Sequence, residues 1–282
     1  HGGHRFLINE VLEEARSKQL PAVVVTFNEH PRKVLRSDFQ PYLLSTLEEK
    51  IDLLISTGID ACVVLDFTPE LSMLSAHEFI KRVLHKQLKV KTLFVGYDHR
   101  FGHDRTDGFE QYQIFGEELG IEVKQAEQYH LPSDEHFSST QIRNALKIGD
   151  MALANTLLTY PYTFIGVVIG GYKRGRRIGF PTANIWFDSK EKIIPAVGVY
   201  AVRVYIKKNI YKGMMNVGFR PTFSAENELS MEVHIIDFDA DIYDQKIKIE
   251  CLFRLRDEKK FAGIDDLIAQ LQKDRTMAIN LL

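Results

Sequence analysis

The spacing of apolar positions changes character once along the chain. In residues 1–160, apolar runs alternate with stretches of helical period. His4–Gln19 puts Phe6, Leu7, Val11, Leu12 and Ala15 at helical spacing, and Pro21–Phe27 is an unbroken β-branched run that reads as a buried strand. The spacing then predicts a helix over Ser45–Thr57, with Ser45 and Glu48 spaced as a capping box and Gly58 at its end, and a strand over Asp60–Phe67. A helix over Ser75–Leu88, opened by Ser75 and Glu78, leads to a strand over Val90–Tyr97. A helix over Gly108–Leu119 and a strand over Ile121–Ala126 follow, then short helices over Ser138–Leu146 and Met151–Leu158. Helices alternating with strands buried on both faces predict a doubly wound parallel α/β sheet.

Past Tyr160-Pro161 the period falls to two. Tyr162–Ile169, Gly198–Lys207, Ile210–Val217, Ser230–Asp237 and Lys246–Arg254 read as antiparallel strands punctuated by Gly and Pro, and Asp265–Thr276 reads as a closing helix. This predicts a small antiparallel β-barrel or sandwich with a C-terminal helix. Two domains are expected, over residues 1–160 and 161–282.

Composition narrows the class. The 282 residues are 45% hydrophobic and 26% charged, which excludes disorder and low-complexity repeats. No run of about 18 apolar residues occurs, so no membrane span is expected. Cys62 and Cys251 both sit in apolar, strand-like runs and read as buried free thiols in a reducing, cytoplasmic compartment. The net charge of −2 is uneven: residues 1–160 carry 17 Lys and Arg against 23 Asp and Glu, the remainder 19 against 15. Neither part is basic enough to suggest nucleic acid, and small anionic ligands stay open.

The first part holds nine of the ten histidines. His1-Gly2-Gly3-His4 stands directly before a helix, where backbone N–H groups and the dipole favour a phosphate and two imidazoles can bond its oxygens. The same four residues also fit a chance copper or nickel chelator. Thr26-Phe27-Asn28-Glu29-His30-Pro31 and Gly96-Tyr97-Asp98-His99-Arg100 follow strands at the carboxyl end, where open α/β sheets bind ligands. Ser138-Ser139-Thr140 with Arg143 opens a helix with two kinds of phosphate donor, and also fits a plain N-cap.

The second part carries four glycines and four cations over Gly170–Gly179, followed by Phe180-Pro181-Thr182-Ala183-Asn184. Such a loop suits a polyphosphate, and Thr182 and Asn184 offer hard oxygens for Mg²⁺. A solvated basic turn with an Asn cap fits as well. Glu232 lies on a strand whose Val233 and Ile235 face the other side, and His234 shares its face. At a barrel mouth a carboxylate there can accept the proton of an attacking hydroxyl, although a surface glutamate has the same pattern.

Taken together, these residues resemble the bacterial bifunctional riboflavin kinase/FAD synthetase family. His1 and His4 match its H-x-G-H signature, Thr26–Pro31 its T-F-x-x-H-P, and Ser138–Arg143 its S-S-T-x-I-R. Downstream, G-R-x-x-G-F-P-T-A-N, N-x-G-x-R-P-T-F, E-V-H-x-x-D-F and Leu255-Arg256-Asp257-Glu258-Lys259-Lys260-Phe261 match the kinase part. The family has a strand and a Gly-rich turn ahead of the first histidine; the present chain opens at that histidine.

The resemblance implies an H-x-G-H nucleotidyltransferase domain that adenylylates FMN over 1–160 and a riboflavin kinase barrel over 161–282. It implies riboflavin, FMN, FAD and ATP/ADP as ligands, Mg²⁺ as cofactor, and neither nucleic acid nor membrane as partner. Carried over, His1, His4 and Arg143 are catalytic in the first domain, with Asp98, Ser138, Ser139 and Thr140 on phosphate. In the second, Glu232 is the base, Gly175, Arg176, Gly179 and Pro181 form the nucleotide loop with Thr182 and Asn184, and Thr182 and Asn184 hold the metal. Asn216, Arg256 and Phe261 face the flavin; Tyr172, Phe180 and Phe223 fit flavin contact or ordinary core. The rival reading is a single-activity nucleotidyltransferase with a ligand-binding barrel.

Overall fold

The first helix, α1 (Gly2–Lys18), forms where the apolar spacing predicts it and stops at Gln19, whose left-handed φ of 54° ends the hydrogen-bonded ladder. A computed structural model describes residues 1–35, 42–97, 99–103, 105–127, 138–171, 174–187, 191–220 and 228–282. They fall into two compact units, residues 1–41 with 50–137, and residues 42–49 with 138–282.

In the first unit α1 leads to β1 (Val23–Phe27), α2 (Pro31–Leu35), α3 (Leu47–Ile55, whose first three residues belong to the second unit), β2 (Ala61–Leu65), α4 (Pro69–Ser72) and α5 (Ala76–Phe79). Then come β3 (Thr92–Val95), α6 (Phe109–Leu119) and β4 (Glu122–Gln125). β1 pairs with β2 and β3 with β4, both parallel as expected of an α/β unit. Among the described residues no strand joins the two pairs into one sheet. Apolar contact links them instead: Val25 of β1 packs on the cluster of Ile80, Leu84, Val95, Tyr112 and Ile121.

Two local expectations shift. The Ser75–Glu78 capping box is present, but the helix it opens continues over Ile80–Gln87 as a π-helix. Spacing does not separate the two forms, because Ile80, Val83 and Leu84 share a face in either. At α3 the box is one residue later than predicted. Thr46 Oγ1 accepts from Glu49 N at 3.3 Å, and Glu49 Oε2 accepts from Thr46 N at 2.8 Å. The reason lies in the second unit, where Glu49 is buried.

That unit contains α7 (Ser139–Ile148), α8 (Met151–Leu158), β5 (Tyr162–Ile169), α9 (Arg174–Arg177), β6 (Ala183–Trp186) and β7 (Gly198–Ile206). β8 (Asn209–Arg220), β9 (Glu228–Ile235), β10 (Lys246–Arg256) and α10 (Ile264–Leu281) complete it. Six strands close an antiparallel barrel in the order β10-β5-β6-β9-β8-β7. A barrel this narrow is filled by its own side chains. Phe164, Tyr200, Val202, Val204, Met215, Val217, Val233, Ile249 and Cys251, at alternate positions, are all fully buried. Burial also raises the Cys251 thiol's pKa, so it stays protonated. Cys62, expected to be buried, is only half-buried in β2. On the outer face α10 lies over Ala201, Met214 and Ile236 through Ile268, Leu271 and Ala278.

A buried ion pair ties residues 42–49 to this barrel. Lys192 Nζ reaches Glu49 Oε2 at 2.5 Å and the Thr163 carbonyl at 2.7 Å, and Glu49 Oε1 accepts from Ile165 N at 3.0 Å. Glu49 and Lys192 are only 3% and 6% exposed. Lys192 also lies 4.6 Å from the Tyr162 ring centroid, a cation–π contact.

Candidate active sites

β-Register assembles the second site. Residues directly opposite on antiparallel strands point to the same face with Cβ atoms about 5 Å apart. Asn184 on β6 is opposite Glu232 on β9, and Glu232 is opposite Asn216 on β8. Asn216 is opposite Val199, which is opposite Arg256 on β10. Four residues singled out from the sequence thus share one row across five strands. The row lies on the barrel's outer face, not in its mouth: the next pairs along, His234 with Met214 and Met214 with Ala201, lie under α10. The lumen is already filled, so a carboxylate exposed to substrate has only the outer face.

Around Glu232 the hard oxygens converge. Thr182 Oγ1 donates to Glu232 Oε2 at 3.1 Å. Asn184 is buried, and its amide lies so close over Gly171 that a Cβ there would collide with it. Residues 175–180 close into a tight turn at the end of α9. Phe180 N donates to Gly175 O at 2.9 Å, and Gly179 takes φ 84°. A Cβ at Gly175 would strike the Phe180 carbonyl, so this close approach requires glycine. Arg176 is exposed on this turn. Tyr172 and Phe223 lie outside the described residues.

Three contacts here were not foreseen. His234 Nδ1 lies 2.8 Å from the Pro181 carbonyl; an oxygen can only accept, so this nitrogen carries the proton. Burial lowers the pKa of the ring against the raising effect of that bond, so it is neutral at pH 7. Glu258 lies over Gly218, where a Cβ would come 2.5 Å from its Oε1 and 3.0 Å from Asn216 Nδ2. Arg256 is gripped from α10 by buried Asp274, with Nε–Oδ2 at 2.9 Å and Nη2–Oδ2 at 2.7 Å, and its guanidinium sits 5.8 Å from the Phe261 ring centroid. Asp274 was legible in principle, because it interrupts the apolar stripe of Leu271 and Ala278 and a charge there needs a partner.

In the first unit His1 is the N-cap of α1, and its carbonyl accepts from His4 N at 2.9 Å. The two imidazoles stack with centroids 4.0 Å apart. Burial, the largest cause, brings the His4 pKa to about 4. His4 therefore meets an anion at pH 7 as a neutral N–H donor. At the carboxyl ends of β1 and β2, Asn28 braces both turns, donating to Asp66 Oδ1 at 2.8 Å and accepting from Phe67 N at 3.2 Å. Asp98 lies outside the described residues.

Ser138, Ser139, Thr140 and Arg143 belong to the second unit by their contacts. Ser138 caps α7 by accepting from Gln141 N at 3.2 Å, and Gln141 completes the capping box. Arg143 Nε donates to the Tyr42 carbonyl at 2.7 Å.

Comparison with known proteins divides the chain differently here, with Ser138, Ser139 and Thr140 falling in the first family match. Residues 1–141 match the FAD synthetase family and residues 158–282 the riboflavin kinase family. A bifunctional riboflavin kinase/FMN adenylyltransferase of Escherichia coli is 36% identical over 99% of this chain and 88% of its own length. One from Bacillus subtilis is 37% identical over 99% of this chain and 88% of its own. A solved structure named as a macrolide-efflux protein of Streptococcus pneumoniae is 34% identical, with a TM-score of 0.88 over 99% of this chain and 90% of that one. That name belongs to the streptococcal chain; among the described residues here no helix is long and apolar enough to cross a membrane. With such identity along nearly its whole length and a family match in each half, the chain belongs to the bifunctional riboflavin kinase/FMN adenylyltransferase family.

Proposed function

We propose that the chain makes FAD in two steps, phosphorylating riboflavin at the barrel and adenylylating FMN in the N-terminal domain. We set the functional boundary at 160/161 because the sequence period changes there; the riboflavin kinase match begins slightly earlier, at residue 158. The observation that carries the reading is the row of Asn184, Glu232 and Asn216 with Thr182 hydrogen-bonded to Glu232.

In the kinase step the riboflavin 5′-hydroxyl oxygen forms a bond to the γ-phosphorus of ATP, the bond to the β-phosphate oxygen breaks, and ADP leaves. Glu232 takes the hydroxyl proton. Thr182 Oγ1 and Asn184 Oδ1 are hard donors that fit Mg²⁺, which binds few protein oxygens alongside phosphates and waters. When bound, that ion offsets phosphate charge. The turn of Gly175, Arg176, Gly179 and Pro181 covers the nucleotide, and Asn216, Arg256 and Phe261 hold the flavin side of the row.

In the adenylylation step an FMN phosphate oxygen attacks the α-phosphorus of a second ATP, and pyrophosphate leaves. His1 and His4 donate to phosphate oxygens at the N-terminus of α1. Asp98, Ser138, Ser139, Thr140 and Arg143 keep their phosphate roles on the strength of the motif.

A chromatographic time course with riboflavin, ATP and Mg²⁺ tests the whole reading. FMN followed by FAD is expected, and absence of FMN overturns the kinase assignment. His4→Ala is expected to lower FAD formation from supplied FMN about a hundredfold, the scale of losing one transition-state donor, while FMN formation stays at the parent rate. Undiminished FAD formation by that variant removes the first-site assignment.

A further inference from the structure

We infer that His234 is a positioning residue of the kinase site, holding the Pro181–Asn184 segment in place through the Pro181 carbonyl. The inference rests on the reading of Thr182, Asn184 and Glu232 given above and adds a part that sequence motifs do not assign.

The geometry is specific. The β6–β9 ladder begins at the pair Ala183–Val233. One step further in that register His234 would stand opposite Thr182, but the strand has ended and Pro181 has no N–H to offer. The imidazole takes over, donating Nδ1–H to the Pro181 carbonyl at 2.8 Å. Its other side is set by Phe180, whose ring meets it edge-on with centroids 5.2 Å apart. Phe180 is itself locked, buried in the cluster beneath α10 and bonded through its N–H to Gly175 O at 2.9 Å. The side chain two residues from Glu232 on the same face thus fixes the carbonyl next to Thr182, whose hydroxyl contacts Glu232 at 3.1 Å. Holding β9 and the 180–184 segment together places the Thr182 and Asn184 oxygens beside the carboxylate before nucleotide arrives.

Two substitutions in the full chain separate the bond from the packing. His234→Phe keeps a ring against Phe180 and loses the donor. His234→Asn loses the ring and keeps an N–H near the Nδ1 position. The expected result for His234→Phe is a five- to tenfold rise in KM for Mg–ATP, with kcat reduced less than threefold and KM for riboflavin unchanged. Calorimetry with a non-hydrolysable ATP analogue and Mg²⁺ is expected to show the same loss of affinity without turnover. His234→Asn is expected to bring both back to within twofold of the parent. The opposite pattern, with Phe tolerated and Asn impaired, overturns the inference and leaves His234 a packing residue. So does a fall in kcat with KM unchanged in both variants, the mark of a smaller folded fraction. If the Phe variant does not fold, the Asn variant decides: affinity within twofold supports the inference and a larger loss overturns it. Failure of the underlying site reading is seen separately, as FMN formation that survives Glu232→Gln.

Discussion

Glu232→Gln is expected to cut FMN formation from riboflavin by a factor of 10² to 10⁴, the range for loss of a positioned general base. The same preparation is expected to convert supplied FMN to FAD at the parent rate. The asymmetry follows from the nucleophiles. The ribityl hydroxyl must lose a proton as it attacks phosphorus, whereas the FMN phosphate already presents an anionic oxygen. Glutamine keeps the volume and an oxygen for the Thr182 hydroxyl, whose contact with Glu232 is 3.1 Å, so the local structure is conserved while the proton acceptor is lost. The substituted side chain also stays in the row with Asn184 and Asn216, whose register is fixed by backbone hydrogen bonds. KM for Mg–ATP should therefore move far less than kcat. Equal loss of both activities would mean that the substitution acts on folding, and unchanged FMN formation would remove Glu232 from the reaction.

How much of this was legible in the sequence differs by kind of contact. Five of the barrel strands announce themselves as apolar runs bounded by turn residues, and along β5 the burial alternates as well, at Tyr162, Phe164, Gly166 and Val168. β6 was missed: it has four residues, directly after a proline-containing segment, too few to display a period. The chemistry-bearing residues Asn184, Glu232, Asn216 and Arg256 were each visible, but their common row was not. It depends on register across five strands, and a one-residue slip sends every side chain to the other face. Glu232 was accordingly expected at the barrel mouth and stands on the outer wall.

Pairings between distant positions were the least legible. His234 and Pro181 are 53 residues apart, and Glu49 and Lys192 are 143 apart, with no periodic signal connecting them. The Thr46–Glu49 cap shows the consequence: Ser45–Glu48 and Thr46–Glu49 match the same local pattern, and Lys192 decides between them. Glu48 instead pairs at the surface with Lys246 at 2.6 Å.

That buried pair gives the largest expected effect on stability. Glu49→Gln keeps the acceptor for Ile165 N but leaves Lys192 with no carboxylate, at a site where it is 6% exposed. Removing one partner of a buried pair typically costs about 3–5 kcal/mol, because the remaining charge has lost its compensation. The second unit should unfold at correspondingly lower urea concentration. The chain's single tryptophan, Trp186 on β6, reports that unit by fluorescence. Lys192→Met is expected to destabilise too, by burying the Glu49 carboxylate alone. The double variant, with no charge left, should be more stable than the sum of the single losses predicts, by more than about 1 kcal/mol. Single losses below about 1 kcal/mol, or strict additivity, would refute the coupling. The pH dependence carries its own sign. Burial lowers the Lys192 pKa and Glu49 opposes that shift. Without Glu49 the folded-state pKa falls further below the unfolded value, so between the two the unfolded chain binds more protons and stability rises with pH. The Glu49→Gln variant should therefore recover part of its lost stability as pH is raised from neutrality toward the ordinary lysine pKa of about 10.4, whereas an exposed lysine at this position would give no such recovery.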